Sequence, residues 1–232
     1  GTAGVLSLTS ATTDNTGQIG VSPVISYAVS TIAGNTATVS VTTTALTISG
    51  KSGVLTTIGA APDHLVLSTG PTSITAGNWS TIYTVQRYDL YNNITLLGNS
   101  VLGLSTNSTG ADYKFSSTDP VVSPTETTSV TIPVGASTVS FWYYDKKASY
   151  APPASTSPWV ITCSGLAVPL NSNLIVYPAS IASLVIITPA RTLTAGTPGT
   201  APNNVITVQS QDTYGNAQVV ASATVLTITS NS

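Results

Sequence analysis

The sequence predicts an all-β protein built from antiparallel β-sandwiches, and three observations support this prediction. Short runs rich in Val, Ile, Thr and Tyr recur along the 232 residues, and clusters of Gly, Pro, Asn and Ser separate them. No stretch places Leu, Ala, Glu and Lys at helical spacing, whereas Thr and other β-branched residues fit pleated sheets. A segment of about fifty residues occurs twice, which indicates a repeated building block.

The predicted strands follow one another along the whole chain. Their spacing is typical of an antiparallel sandwich. The clearest are "NTATVSVTTTALTI" at 35–48, "TSVTIPV" at 128–134, "STVSFWYYD" at 137–145, "PWVITCSG" at 158–165 and "NNVITVQSQD" at 203–212. The one cysteine, Cys163, lies in the fourth of these runs and is predicted to be a small buried hydrophobe.

The composition excludes several classes of function. Charged residues make up 6% of the chain, against about 25% in an average soluble protein. With six Lys and Arg in total, the chain has no basic patch for nucleic acid. No apolar run reaches the roughly 18 residues of a membrane span. One cysteine and one histidine provide neither a disulfide framework nor a metal cluster, so we predict no metal and no cofactor.

The internal repeat divides the chain. "DHLVLSTGPTSITAG" at 63–77 matches "ASLVIITPARTLTAG" at 182–196 with an offset of 119. After a short insertion, "TVQRYDLYNN" at 84–93 matches "TVQSQDTYGN" at 207–216, and then "VLGLSTNS" at 101–108 matches "VLTITSNS" at 225–232. One complete sandwich is therefore predicted over 63–181.

The two ends of the chain are predicted to be halves of a sandwich. Residues 182–232 repeat the first half of the complete unit, and residues 1–62 align with its second half, with "TATVSVTTTALT" at 36–47 laid on "TSPWVITCSGLAV" at 156–168. In one interpretation, the C-terminal half of one copy joins the N-terminal half of the next, head to tail. In the other, the sequence is a window from a longer tandem array. Both leave open sheet edges.

The repeated segments resemble a known family. "LVLSTGPTSITAG…YTVQRYDLYNN" and its second copy resemble the bacterial and archaeal Ig-like repeats of invasin- and filamin-type surface proteins, and "TIPVGASTVSFWYYD" at 131–145 supplies their later strand. The resemblance covers 63–181 and 182–232 well and 1–62 weakly. It implies extracellular Ig-like β-sandwiches, here one complete and one assembled from two terminal halves, in a filament or surface array.

The duplicated decapeptide ends in a predicted structural turn. Its Asp should accept backbone N–H groups while the Tyr packs over it. Calcium binding is not expected, because each turn holds a single acid. Asn92 stands where the second copy has glycine, and Asn tolerates the left-handed conformation. The turn residues are Asp89, Tyr91 and Asn93 in the first copy and Asp212, Tyr214, Gly215 and Asn216 in the second.

The run "SFWYYDKK" at 140–147 concentrates aromatic residues. Strand alternation puts Phe141 and Tyr143 on one face and Trp142 and Tyr144 on the other. The first pair is predicted to enter the core. The second pair is predicted to make either a contact with another subunit or domain, or a platform on which a sugar stacks.

Two kinds of covalent modification are suggested by the sequence. Asn78, Asn93 and Asn107 begin N-glycosylation sequons at predicted loops or strand edges, so N-linked glycans are candidate partners. Lys114 is a candidate for an isopeptide crosslink to Asp89 or Asn99, as found in some surface Ig-like domains.

We predict no enzymatic activity. The counterpart of His64 in the second copy is Ser183, and no nucleophile-elbow motif or marked carboxylate pair occurs. The predicted function is a structural subunit of an extracellular filament, a pilus-like thread or a surface layer, with copies of the chain as partners. The alternative is an adhesin or carbohydrate-binding stalk module cut from a longer array.

Overall fold

The protein is all-β, as the sequence predicts. The computed structural model describes residues 4–7, 27–42, 49–151, 155–192, 205–220 and 222–229, with the backbone alone at 151, 155 and 156. These residues form strands, turns and extended segments, and they contain no helix. The described part of the chain therefore contains no helix long and apolar enough to cross a membrane.

In the described part of the chain, six short strands precede the central sandwich. They are β1 (Val5–Leu6), β2 (Tyr27–Ala28), β3 (Thr36–Ala37), β4 (Ser40–Thr42), β5 (Ser49–Lys51) and β6 (Leu55–Thr56). They pair antiparallel, β1 with β2, β3 with β6 and β4 with β5. Their side chains are mostly exposed or half-buried, so these strands have little core of their own.

Eleven strands follow between residues 62 and 177. They are β7 (Pro62–Thr69), β8 (Ser73–Thr75), β9 (Tyr83–Asp89), β10 (Ser100–Thr106), β11 (Lys114–Ser116), β12 (Ser129–Ile132), β13 (Thr138–Tyr144), β14 (Tyr150–Ala151), β15 (Ser155–Thr156), β16 (Trp159–Ser164) and β17 (Leu170–Tyr177). Nine of them form two sheets, with the orders β12-β10-β16-β17-β8 and β11-β13-β9-β7. Strands β14 and β15 pair only with each other. All pairs are antiparallel except β17 with β8, which is parallel.

The core of the central sandwich lies between these two sheets. Alternation along β9 buries Tyr83 and Val85, and alternation along β13 buries Phe141 and Tyr143. The rings of Tyr83 and Phe141 stack with centroids 4.9 Å apart. Each such side chain stabilises the fold by about 1.5–3 kcal/mol when fully buried. Cys163 lies in this core, where burial raises the pKa of its thiol to about 12.

Among the described residues after the sandwich are two strands, β18 (Ile181–Ile186) and β19 (Val208–Asp212), and they pair antiparallel. This pair repeats β7 with β9 in detail. The register irregularity between Pro62 and His64 recurs between Ile181 and Ser183. Leu184 pairs with Ser210, as Leu65 pairs with Arg87. The sequence repeat is therefore also a repeat of strand register.

Candidate functional site

The first copy of the turn binds the linker that precedes the central sandwich. The side chain of Asp89 is buried, and its Oδ1 accepts hydrogen bonds from the backbone nitrogens of Tyr91 (2.9 Å) and Asn93 (2.8 Å). Its Oδ2 accepts from the backbone nitrogen of Ala60 at 2.8 Å. The carboxylate thus closes the turn and fixes the linker with one group.

Asn93 extends the same network to the N-terminal strands. Its Nδ2 donates to the backbone oxygen of Thr31 at 2.8 Å and to the Asp89 carboxylate at 3.0 Å. Its Oδ1 accepts from the backbone nitrogen of Ala33 at 2.9 Å. We call residues 30–33 the first docking loop, and the turn 89–93 with its bonds to Ala60 and this loop the first clasp.

The second copy makes a second clasp with the same atoms. The Asp212 carboxylate accepts from the backbone nitrogens of Tyr214 (2.9 Å), Asn216 (2.8 Å) and Ala179 (2.8 Å). The Asn216 side chain donates to the oxygen of Lys146 at 2.8 Å and accepts from the nitrogen of Ala148 at 2.9 Å. Residues 145–148 of the central sandwich are therefore the second docking loop.

A second pair of side chains supports each clasp from behind. At the first, Arg87 Nε donates to the oxygen of Thr95 at 3.1 Å, and Thr95 Oγ1 donates to the oxygen of Ala60 at 2.5 Å. At the second, Ser210 and Gln218 take these two places. Ser210 Oγ donates to the oxygen of Gln218 at 2.5 Å, and Gln218 Nε2 donates to the oxygen of Ala179 at 3.0 Å. At both clasps a chain of two hydrogen bonds therefore connects the strand, β9 or β19, to the linker residue, Ala60 or Ala179, although the residue types differ.

Arg87 is a fully buried cation without a carboxylate partner among its hydrogen bonds. Its guanidinium donates instead to five backbone carbonyls and one hydroxyl, and burial lowers its pKa. The acceptors are Thr95 O, Gly98 O, Ser100 Oγ, Ile132 O, Pro133 O and Ala136 O, at 2.8 to 3.4 Å. The side chain ties the two loops at the first-clasp end of the sandwich to β9, which a planar fork of five donors can do.

The electrostatics of both clasps favour ionised aspartates. Burial alone would raise the pKa of Asp89, but hydrogen bonds from Asn93, Ala60 and Tyr91 outweigh burial and lower it. The same balance, with Asn216, Ala179 and Tyr214 as donors, lowers the pKa of Asp212. Hydrogen bonds given to the charged form stabilise that form. Both carboxylates are therefore charged acceptors near neutral pH.

The turn backbone is left-handed at one residue in each clasp. Asn92 has a φ of 64° and Gly215 a φ of 81°. Asn92 is the one described non-glycine residue with positive φ. Its short polar side chain permits a conformation that other non-glycine residues adopt at a cost of roughly 1–2 kcal/mol.

The two clasp tyrosines differ in their surroundings. Tyr214 lies against Gly77 of the central sandwich, and a Cβ on Gly77 would lie 2.1 Å from the Tyr214 phenol oxygen. Lys146 Nζ lies 6.0 Å from the centroid of the same ring. Tyr91 is 54% exposed and Tyr214 39%. Tyr214 contacts the preceding sandwich.

The second aromatic pair of the run 140–147, Trp142 and Tyr144, is split between two environments. Tyr144 packs against Trp79 with ring centroids 5.3 Å apart, and burial and then the proximity of Tyr214 raise its pKa. Tyr144 therefore lies next to the second clasp. Trp142 is half-buried on the outer side of the four-stranded sheet.

The three sequons lie in different settings. The Nδ2 of Asn93, where a glycan would attach, donates to Thr31 and Asp89, so a glycan there conflicts with the first clasp. Asn78 and Asn107 are exposed, in the loop after β8 and directly after β10. Asn107 uses Oδ1 to accept from the nitrogen of Val160 at 2.7 Å.

Lys114 and His64, the remaining candidates, each contact other side chains. Lys114 forms an ion pair with Glu126, so its amine lies with Glu126 and not beside Asp89 or Asn99, as the crosslink hypothesis requires. His64 stacks on Tyr88 and contacts Asp63. Within the described ranges, no group of three His, Cys, Asp or Glu residues is placed to hold a metal ion.

A second feature is an apolar surface on the C-terminal strands. An open groove of about 400 Å³ is lined mainly by Ile181, Leu184, Val208, Val220 and Leu226. We call these five residues the open face. Three of them, Leu184, Val208 and Leu226, repeat the core residues Leu65, Val85 and Leu102 of the central sandwich. Leu184 is 53% exposed and Leu65 6%, and Leu226 is 41% exposed and Leu102 0%. The same repeat positions are therefore covered in one unit and exposed in the other.

The hydrogen-bond partners of the two turns were not predicted from the sequence. Ala60, Ala179 and both docking loops take part through backbone groups, which carry no residue signal. Arg87 could have been found, because an isolated cation inside a β-strand that alternates with apolar residues is unusual. Hydrogen bonds from the repeated Asn to a loop outside the turn could also have been predicted, since its side chain both donates and accepts.

Comparison with known proteins finds likeness in solved structures alone. No family model matches the sequence, and no curated protein matches it. The chain is similar to domains 4–9 of the surface layer protein SbsC, with 16% identity and a TM-score of 0.37 over 83% of this chain and 26% of that one. For SbsC domains 4 and 5, the identity is 13% and the TM-score 0.37, over 65% and 62% of the two chains.

A glycosyl hydrolase family 2 member from Bacteroides cellulosilyticus is a further similar structure. Its identity to this chain is 15% and the TM-score is 0.34, over 54% of this chain and 16% of that one. This protein thus spans between 16% and 62% of the lengths of the three structures.

Proposed function

We propose that the protein is a non-enzymatic structural subunit of an extracellular filament, pilus-like thread or surface layer, and that its copies join head to tail. The C-terminal strands of one copy and the N-terminal strands of the next would together form one sandwich. The observation that carries this proposal is the open face, because Leu184, Val208 and Leu226 in it repeat core residues of the central sandwich.

The N-terminal strands also expose apolar side chains. Val29, Val41 and Leu55 are exposed, although each belongs to a β-rich segment that aligns with the second half of the central sandwich. Covering the exposed apolar side chains at both ends would remove them from water. Burial stabilises the assembly by about 25 cal/mol for each Å² of apolar area. Since the two surfaces differ, their contact is heterologous and propagates into an open polymer unless rotation closes a ring.

The two clasps support a role in a linear array. Each fixes the short linker between neighbouring units and binds a loop of the preceding unit, with the same hydrogen bonds. Hydrogen bonds to a charged group contribute about 1.5–3 kcal/mol each. A joint built this way holds neighbouring sandwiches in a fixed orientation, which suits a rod better than a flexible tether. The low charge and the sequence resemblance support an extracellular location.

The proposal is tested by the assembly state of the 232-residue chain. Light scattering and negative-stain electron microscopy over a range of concentrations should show end-to-end polymers. Leu184→Asp should abolish them by placing a charge on the open face. Val185→Asp is the matched control, because its counterpart Val66 is exposed in the central sandwich.

Two outcomes would contradict the proposal. One is a wild type that stays monomeric at every concentration; the other is a Leu184→Asp variant that assembles like the wild type. A monomer that binds polysaccharide and loses that binding in Trp142→Ala would instead support the alternative role of an adhesin or carbohydrate-binding module.

A further inference from the structure

The segment 225–229 repeats the sequence of strand β10 but lacks its pairing. It corresponds to residues 101–105, and β10 pairs with β12 on one side and with β16 on the other. Residues 225–229 belong to no strand, and within the described part of the chain their backbone makes no hydrogen bond. Ile228 is 76% exposed, whereas its counterpart Leu104 is 6% exposed. The segment therefore has the sequence of a central strand without the neighbours of one.

Strand β4 has a free edge. Among the described strands it pairs with β5 alone. The nitrogen of Ser52 donates to the oxygen of Val39 at 2.8 Å, so the backbone groups of Val39 and of Val41, two residues on, point toward β5. The N–H and C=O groups of Ser40 and Thr42 therefore point to the opposite edge, which no described strand covers.

The pairing of the N-terminal strands aligns β4 with β16, the partner of β10. The offset of 119 that relates the two clasps places Leu55 of β6 on Leu174 of β17. Leu55 pairs with Ala37, and Leu174 pairs with Trp159. Ala37 and Trp159 are therefore counterparts. This alignment differs by two residues from the start of the sequence alignment, which leaves each side chain on the same face.

The alignment makes Val41 the counterpart of Cys163, because each lies four residues beyond the pair just named. In the central sandwich, Cys163 lies opposite Leu104 of β10, and both side chains are buried. The counterparts of these two residues are Val41 and Ile228, which are 54% and 76% exposed. Two apolar positions that meet in the core of one sandwich are thus both uncovered at the ends of the chain.

The hydrogen-bond geometry agrees with this alignment. In the central sandwich, the nitrogen of Asn107 donates to the oxygen of Val160 at 3.3 Å, so Val160 and Thr162, two residues on, direct their backbone groups toward β10. The counterpart of Thr162 is Ser40, whose backbone groups point to the free edge of β4. The free edge therefore presents the same groups that β16 presents to β10.

We infer that residues 225–229 bind a second copy of this chain as an added strand on the free edge of β4, with Ile228 opposite Val41. This inference rests on the proposed function and specifies the register of its contact. In this register, Thr229 lies opposite Ser40, and the backbone groups of the added strand satisfy those of the edge. Ile228 and Val41 then face the core of the completed sandwich.

The inference is tested by disulfide crosslinking between two chains of different mass, one with Ile228→Cys and the other with Val41→Cys. Opposite residues of a non-hydrogen-bonded antiparallel pair have Cα atoms about 4.5 Å apart, within reach of a disulfide. Mild oxidation of the mixture should give a covalent heterodimer that a reductant removes. The wild type should give no crosslink, because its Cys163 is buried.

Two further pairs control for face and for assembly. Ile228→Cys mixed with Thr42→Cys should give no heterodimer, because Thr42 is the neighbour of Val41 and faces the other side of the strand. Thr229→Cys mixed with Ser40→Cys should crosslink, and this pair leaves the apolar side chains intact. It provides the test if Ile228→Cys prevents assembly in light scattering.

The outcomes separate this inference from the proposed function. A wild type that never assembles overturns both. A wild type that assembles, with no heterodimer from either predicted pair or with equal crosslinking to Thr42→Cys, overturns the added strand and leaves head-to-tail assembly standing. In a chain that carries both Ile228→Cys and Val41→Cys, a disulfide within the monomer would also overturn the inference, since the segment would then pair within its own chain.

Discussion

At the scale of single residues, one carboxylate and one carboxamide make each joint. The aspartate accepts three backbone N–H groups, two from its own turn and one from the linker. The asparagine then binds a loop of the preceding unit through both ends of its amide. The arrangement needs no opposite charge, because backbone donors satisfy the carboxylate. This suits a chain with 6% charged residues.

Removing the second aspartate should open the joint without unfolding the sandwich. We expect Asp212→Ala to leave the backbone nitrogens of Ala179, Tyr214 and Asn216 without their acceptor, at a cost of about 2–4 kcal/mol to the joint. Hydrogen exchange at Ala148 and Ala179 should accelerate, while exchange in β9 and β13 stays slow. The control is Asp119→Ala, which removes an exposed turn aspartate. Unchanged exchange at Ala179 would contradict the assigned role.

Substitutions of Arg87 that remove its charge or its planar fork of donors should both destabilise the fold. Arg87→Met leaves several buried carbonyls without donors, which we expect to destabilise the fold by about 3 kcal/mol or more. Arg87→Lys keeps the charge but has three donors at one point, so it should recover only part of that loss. Chemical denaturation followed by tryptophan fluorescence measures both. A lysine variant as stable as the wild type would show that charge alone is needed.

At the scale of elements, the sequence predicts the repeating parts well and their connections poorly. Period-two alternation identified the buried face of β13, and the repeat aligned β18 with β7 and β19 with β9 to the residue. The parallel pairing of β17 with β8 has no local signal, because it joins strands far apart in sequence. The hydrogen-bond partners of the clasps were not predicted for a related reason. Ala60 and the docking loops contribute backbone groups, which look alike at every residue.

A glycine comparison isolates the contact between the C-terminal turn and the central sandwich. Gly77 and Gly135 have nearly the same φ, +83° and +85°, but nothing lies within 4 Å of a Cβ on Gly135. Alanine at either position should cost about 1–2 kcal/mol for the left-handed conformation. Gly77→Ala should lose more, because its methyl group displaces Tyr214. Equal unfolding temperatures for the two variants would contradict the contact.

At the scale of the whole molecule, few groups titrate and most of the chain is neutral. The eight Asp and Glu residues include two buried clasp aspartates whose pKa values are lowered. Two exposed ion pairs, Lys114 with Glu126 and Lys146 with Asp112, add little to stability. From neutral pH into acid, changes of pH should therefore act on the molecule mainly through its joints.

The expected pH profile follows from the direction of these shifts. Because the folded pKa of each clasp aspartate lies below the unfolded value of about 3.9, folding stability is fully present above that pH and is lost as the pH falls through the folded pKa. Urea denaturation from pH 7 to pH 2 should give a flat midpoint down to about pH 4 and a fall below it. The double variant Asp89→Asn, Asp212→Asn should start less stable and show a smaller acid step, since neither amide titrates. If the double variant keeps the full acid step, other carboxyl groups cause the loss of stability. If the urea midpoint of the wild type already falls between pH 7 and pH 5, the ionised clasp aspartates are not the source of the profile.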